Sequence, residues 1–370
     1  MKLKKFFAGV LAAAMMLTVG ATAAFATAPA TTYQDQSEVK IYKHYGLEGN
    51  GTSPEETFYL VQADKKVLTG DIKDSDIPDL TALTNAPAST DGRHYVASVK
   101  FGEGGAKAND AENVGEFVVK LPTYDHVGKF EYTLQEVAGN TAGVTYRLDT
   151  IKLVVSVIND GAIRVAGVHT ENEGGEKSSS FSDNKYAANT LTVSKYVSGN
   201  MGDKKTYFQF ELSLEPGTAN GRKNFAENYT ITYPTNGSDK NTTNTIVVGG
   251  ASVKFWLKSG ESISIANLPE GVEWTVSELD ADGKAVANGA TNGVYTVSVD
   301  GANGSIVAAG ASETSNKASF TNTHEGTPDM GVILDNAPYI ALLAIVAIGG
   351  VALMLNKRRR DEVLLYFLTT

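Results

Sequence analysis

Two lysines in this chain stand in strand-like phrases that would bury them. Val39-Lys40-Ile41-Tyr42-Lys43 sets Lys43 on the face of Val39 and Ile41, and Leu191-Thr192-Val193-Ser194-Lys195 sets Lys195 on the face of Leu191 and Val193. Side chains at i, i+2 and i+4 of a strand point the same way. Each lysine is followed by an aromatic-x-aliphatic-x-Glu phrase, Tyr132-Leu134-Glu136 and then Trp274-Val276-Glu278. Each glutamate is followed by an asparagine after a Phe-bearing run, Asn184 and then Asn322. Unpaired charges on an apolar face are costly. A repeated Lys, Glu and Asn therefore asks for a chemical reason.

That reason can be covalent. An amine beside a carboxamide forms an amide and releases ammonia, very slowly in water. Burial lowers the pKa of a lysine and raises that of a glutamate, which gives a neutral nucleophile and a neutral acid. The acid can then donate to the asparagine and pass the proton on. Folding holds amine and carboxamide in contact and so replaces concentration with geometry. The cross-links expected are Lys43 to Asn184 and Lys195 to Asn322, with Glu136 and Glu278 as proton shuttles. Such a bond constrains the unfolded chain as a disulfide does, without being reducible. The first electrophile has a competitor. Ala318, Phe320 and Asn322 share a face, whereas Phe181 shares its face with Asp183. Either a one-residue bulge brings Asn184 inward or Asp183 reacts instead. Asn184-Lys185-Tyr186 and the 11-residue spacing to Lys195 favour Asn184.

The elements that must position these residues read as β throughout. Phe117-Val119-Leu121, Phe208-Phe210-Leu212-Leu214 and Tyr295-Val297-Val299 alternate, and Ile151 to Val157 is rich in β-branched residues, as strands are. Turn signals separate them at Asn159-Asp160-Gly161, Asn236-Gly237, Asp282-Gly283 and Asn292-Gly293. Many short strands and turns imply an all-β chain of tandem immunoglobulin-like sandwiches. The repeat divides it. Lysine to glutamate to asparagine spans 93 and 48 residues in the first copy, and 83 and 44 in the second. The expected domains are residues 29–187 and 188–325, joined stiffly, with a stalk over 326–338.

The two ends read as targeting segments. Lys2, Lys4 and Lys5, the apolar run Phe6 to Val19 and Ala24-Phe25-Ala26 make a secretory signal over residues 1–28. Tyr339 to Leu355 is 17 residues without a charge, about 25 Å of helix and near the lower limit for a bilayer. Lys357-Arg358-Arg359-Arg360 follows. The reading is a transmembrane helix over 339–356 with a cytoplasmic tail over 357–370. Setting aside the three signal lysines and the net +2 of the tail leaves −15 of the total −10 charge on the part between. That acidity argues against nucleic acid as a partner. There is no cysteine, so an exported chain must find stability elsewhere. The five histidines show no ligand spacing, and neither a metal nor a cofactor is implied.

With these residues in hand, the chain resembles the streptococcal-type major pilins of Gram-positive bacteria, which are built of isopeptide-bonded Ig-like domains. The resemblance lies in Ile41-Tyr42-Lys43-His44, Tyr132-Thr133-Leu134-Gln135-Glu136, Leu191 to Gly199, Asn267 to Glu278 and Ser319-Phe320-Thr321-Asn322. It implies a structural shaft subunit rather than an enzyme, with sortase, identical subunits, minor pilins and cell-wall peptidoglycan as partners. A sortase of that family cuts a Leu-Pro-x-Thr-Gly motif before the membrane helix. Here Thr327-Pro328-Asp329-Met330-Gly331 holds that place, keeping the proline and glycine but not the leucine and threonine. The resemblance places the lysine that joins subunits shortly before the first asparagine, which points to Lys177. A monomeric wall- or membrane-anchored adhesin on the same domains is the alternative reading. The extension Val363 to Thr370 matches nothing in the pattern.

Overall fold

The computed structural model describes residues 35–84, 86–87, 92–109, 114–217, 224–312, 314–326, 341–348, 350–355 and 357–358. The expected signal segment, the motif Thr327 to Gly331 and most of the basic tail lie outside the described residues. Among those residues the chain forms nineteen strands. The first nine are β1 (Glu38–Gly49), β2 (Glu56–Thr69), β3 (Tyr95–Phe101), β4 (Gly115–Lys120), β5 (Gly128–Val137), β6 (Val144–Thr145), β7 (Thr150–Asn159), β8 (Ile163–Glu171) and β9 (Ser180–Ser198). Then come β10 (Phe208–Glu215), β11 (Tyr229–Thr232), β12 (Thr245–Ile246), β13 (Val253–Leu257), β14 (Glu261–Pro269) and β15 (Glu273–Leu279). The last are β16 (Thr291–Asn292), β17 (Tyr295–Asp300), β18 (Asn303–Ser305) and β19 (Lys317–Thr323).

Alternation explains the strands. In β10 the side chains of Phe208, Phe210, Leu212 and Leu214 are buried while those between them are half-buried, the pattern of a sheet with one face on a core. The expected turns close as chemistry requires. Gly161, Gly283 and Gly293 have positive φ, and so does Asn236, where glycine and asparagine are the residues least strained.

Three sheets result. One runs β3-β2-β5-β7-β8 and a second β13-β10-β15-β18. The third has ten strands and is centred on β9, which pairs with β1, β6, β14 and β19. Two apolar clusters fill the space between sheets. The first gathers Ile41, Phe58, Phe117, Phe130 and Val155; the second gathers Leu191, Phe210, Phe255, Ile263 and Phe320. Strand β9 serves both. Its Phe181, Tyr186 and Ala188 belong to the first cluster, and its Leu191, Val193 and Val197 to the second. The change of core therefore falls between Ala188 and Leu191 inside one 19-residue strand. No linker intervenes there.

Bonds beyond β9 fasten the two halves. Asn267 Oδ1 accepts from the Thr52 N–H at 2.8 Å and from the Tyr186 hydroxyl at 3.1 Å. The Ala142 N–H donates to the Asn224 carbonyl, and the Asn224 N–H to the Asn140 carbonyl. Gly49 ends β1 with φ +78, and a Cβ there would lie 2.1 Å from the Ala188 carbonyl oxygen. A glycine is required for the chain to pass so close.

Residues 341–348, 350–355 and 357–358 are helical. Among the described residues no helix is long and apolar enough to cross a membrane. The expected span over 339–356 includes Tyr339, Ile340, Gly349 and Asn356, which lie outside the described residues.

Candidate functional site

The topology brings the repeated residues together twice. Lys43 lies on β1 and Asn184 on β9, which run parallel to each other; Lys195 lies on β9 and Asn322 on β19, again parallel. The glutamates come from the opposite sheets. Glu136 is near the end of β5, opposite Leu60 of β2, and Glu278 is near the end of β15, opposite Phe210 of β10. Each centre is therefore a lysine and an asparagine on neighbouring strands, capped across the core by a carboxyl.

The registers agree. Asn322 pairs with Val197, two residues beyond Lys195, and Asn184 pairs with Tyr45, two residues beyond Lys43. The first arrangement needs a bulge. Lys43 pairs with Phe181 and Tyr45 with Asn184, so β9 carries one residue more than β1 over this stretch. A bulge of this kind reverses the facing of every residue beyond it in the strand. Phe181 and Asn184 are both buried although three residues apart.

In the first centre the Lys43 ammonium nitrogen lies 2.5 Å from Asn184 Oδ1, to which it donates. It is also 2.8 Å from Glu136 Oε2, an ion pair by distance without hydrogen-bond alignment. Asn184 Nδ2 donates to Glu136 Oε1. The backbone N–H of Arg147 donates to Asn184 Oδ1 at 3.1 Å. In the second centre Lys195 Nζ donates to Glu278 Oε2 at 2.8 Å. Asn322 Nδ2 donates to Glu278 Oε1 at 2.7 Å. Asn292 Nδ2 donates to the same oxygen at 2.7 Å and to the Leu279 carbonyl at 3.2 Å. Asn322 Oδ1 is buried and has no hydrogen-bond partner among the described residues.

Both centres are buried. Lys195, Glu278, Asn322 and Asn184 are fully buried, and Lys43 is 1% exposed. Aromatic rings line the amines: Phe58 is 5.4 Å from Lys43 Nζ, and Phe208 is 4.1 Å from Lys195 Nζ. Desolvation pushes the Lys195 amine down to about 8, against the opposing pull of Glu278. About a tenth of it is then neutral at pH 7, far more than for an ordinary lysine, and the neutral amine is the nucleophile.

This geometry suits amide exchange. In each centre one carboxyl touches both the lysine and the asparagine nitrogen that would leave. It can take a proton from the first and give it to the second. At the first centre the Arg147 N–H is aimed at the oxygen on which charge would develop.

Lys177 lies apart from both centres, exposed on a turn between β8 and β9. The turn is ordered by bonds from the Glu176 N–H to Asn172 Oδ1 and from the Ser178 N–H to the Thr170 carbonyl. Two partners were not expected from the sequence. Asn292 reads there only as part of an Asn-Gly turn, and the Arg147 contact is made by backbone, which no side-chain pattern signals.

Similarity to known proteins respects the same division of the chain. Residues 55–187 match the family described as a Spy0128-like isopeptide containing domain, and residues 189–324 match a domain of unknown function, DUF7601. The chain is 31% identical over 264 residues to a pilin of Streptococcus pyogenes serotype M1, covering 68% of this chain and 74% of that one. It is 31% identical over 148 residues to the pilus tip adhesin Cpa of Streptococcus pyogenes, covering 39% of this chain and 18% of that one. The crystal structure of the major pilin from Streptococcus pyogenes aligns over 79% of this chain and all of its own, with 23% identity and a TM-score of 0.45. The extent and identity of the match to the serotype M1 pilin carry the conclusion: this chain belongs to the streptococcal-type major pilins, the structural subunits of pili.

Proposed function

We propose that the chain is a pilus shaft subunit built of two tandem Ig-like domains, each locked by one internal amide. In the first, Lys43 Nζ attacks Asn184 Cγ; in the second, Lys195 Nζ attacks Asn322 Cγ. The Cγ–Nδ2 bond breaks. A proton of the attacking nitrogen passes through Glu136 or Glu278 to Nδ2, which leaves as ammonia. Each domain reacts once, on itself, so the protein is not an enzyme in the turnover sense. The observation that carries this reading is the second centre, where one buried carboxyl lies 2.8 Å from the amine and 2.7 Å from the amide nitrogen.

Export, sorting and polymerisation complete the reading. The signal segment sends the chain out, and the apolar and basic C-terminal segment holds it at the membrane as a transient intermediate. Sortase then cuts within Thr327-Pro328-Asp329-Met330-Gly331 and passes the acyl group to Lys177 of another copy or to cell-wall peptidoglycan. The exposure of Lys177 supports its assignment.

Intact mass of the purified ectodomain tests the internal bonds. Two ammonia molecules should be missing from the mass of the plain sequence. Glu136→Gln and Glu278→Gln should each restore one. A wild-type mass equal to the plain sequence refutes the cross-links. Loss of one water and one ammonia instead assigns the first bond to Asp183. For polymerisation, high-mass ladders from cells should vanish in Lys177→Ala; persistence of the ladder means that another lysine joins the subunits.

A further inference from the structure

The two centres solve the same problem with different supporting groups. At the first, the Arg147 backbone N–H supports the electrophile. At the second, the support falls on the carboxyl, from Asn292. We propose that Asn292 is a positioning residue for the second cross-link, holding Glu278 in the orientation that serves both Lys195 and the leaving nitrogen of Asn322. This rests on the reading of that centre as an isopeptide site.

The hydrogen bonds carry the argument. Glu278 Oε2 takes Lys195, which leaves Oε1 to face Asn322 Nδ2. A carboxyl held only by those two partners is fixed by the very groups that change during the reaction. Asn322 Nδ2 departs as ammonia, and Lys195 Nζ becomes an amide nitrogen with one hydrogen. Asn292 does not react. Its Nδ2 bridges Glu278 Oε1 and the Leu279 carbonyl, at 2.7 and 3.2 Å. The donor is thus anchored on the same strand as the carboxyl it holds. It keeps a partner on Oε1 after ammonia leaves, when a fully buried Glu278 would otherwise bear an unsatisfied oxygen.

The local fold makes Asn292 a rigid donor. It pairs with Tyr295 across the β16–β17 hairpin, closed by Gly293 at φ +60. Tyr295 is buried, and its hydroxyl accepts from the Asp203 N–H at 3.1 Å. The donor also bears on the amine. Burial lowers the Lys195 pKa and contact with Glu278 opposes it, so a carboxyl free to turn away changes the pH at which the amine is neutral. Among the described residues, Lys195 is the charged group in contact with Glu278.

The test uses the whole ectodomain made by timed cell-free synthesis, quenched in acid and peptide-mapped. The first bond serves as an internal control. In Asn292→Leu the second bond should close at least about tenfold more slowly, the scale of one hydrogen bond to a charged group, while the first keeps its wild-type rate. The pH profile of second-bond closure should shift in Asn292→Leu, and Asn292→Gln should recover part of the rate. Equal closure rates and profiles in wild type and Asn292→Leu overturn the proposal. So does slowing of both bonds together, which marks a general folding defect. If wild type itself forms no second bond, the reading of the site fails, and the role of Asn292 falls with it.

Discussion

At the scale of single residues, the balance of effects on Lys195 decides what the second centre can do. Burial drives its pKa down and the Glu278 carboxylate drives it up, and burial wins. The consequence for stability has a definite sign. A lysine whose folded pKa is depressed binds fewer protons folded than unfolded between the two values. Stability is therefore least below the folded value and is recovered as pH rises from about 8 toward the ordinary lysine range. Asn322→Ala, which cannot close the second bond, should show it. Its denaturation midpoint should rise with pH over that window, and the added change Lys195→Met should flatten the rise. A second contrast concerns rate. Asn184 Oδ1 already has a backbone donor, whereas Asn322 Oδ1 has no partner among the described residues. A preorganised donor on a developing oxyanion is worth about a hundredfold or more in rate. The first bond should accordingly close before the second. Timed peptide mapping of newly made wild-type protein reads the order directly, and simultaneous closure would count against a role for the Arg147 N–H.

At the scale of elements, the bulge in β9 is what reconciles the two centres. Strand β19 brings Phe320 and Asn322 inward by plain alternation, whereas β9 brings Phe181 and Asn184 inward with one extra residue. Deleting Ser182 should convert the second pattern into the first, leaving Asn184 opposite Tyr45 without a bulge. We expect the shortened protein to lose both ammonia molecules still, with the first cross-link mapped to Lys43 and Asn184. Loss of that cross-link alone would show that the bulge supplies more than register. This element also marks what the sequence could reveal. Parity put Lys43, Lys195, Glu136, Glu278 and Asn322 on apolar faces, because a strand's period depends on nothing beyond the strand. Parity left Asn184 and Asp183 open, because a bulge belongs to a pair of strands. Nor could it show that β9 pairs in parallel with both β1 and β19, since neighbours in a sheet are chosen by tertiary packing. The shortness of the join was legible from the 11 residues between Asn184 and Lys195, but not that those residues form one unbroken strand.

At the scale of the whole molecule, each proposed amide ties the first strand of a core to its last, and β9 is the last strand of one and the first of the other. Lys43 and Asn184 are 141 residues apart. Closing a loop of that size removes about 5 kcal/mol of chain entropy from the unfolded state in the simplest account. With no cysteine in the chain, a disulfide cannot supply this constraint. Such a loss is large beside the usual margin of folding. It should lower a melting temperature by about 10 °C or more for a domain of this length. Glu136→Gln and Glu278→Gln keep the size of the shuttle but exchange one accepting oxygen for an amide donor and cannot relay the proton. Each should therefore unlock one core and leave the other tied. Calorimetry should then show the unlocked core melting first, in a transition separate from that of the locked one. The double variant should lose both gains. Mass measured on the same samples links each shift to the bond that is missing. If both single variants lack their bond yet melt as wild type does, the packed cores and the shared strand β9 hold the fold without help. The amides would then serve resistance to force or proteolysis rather than equilibrium stability.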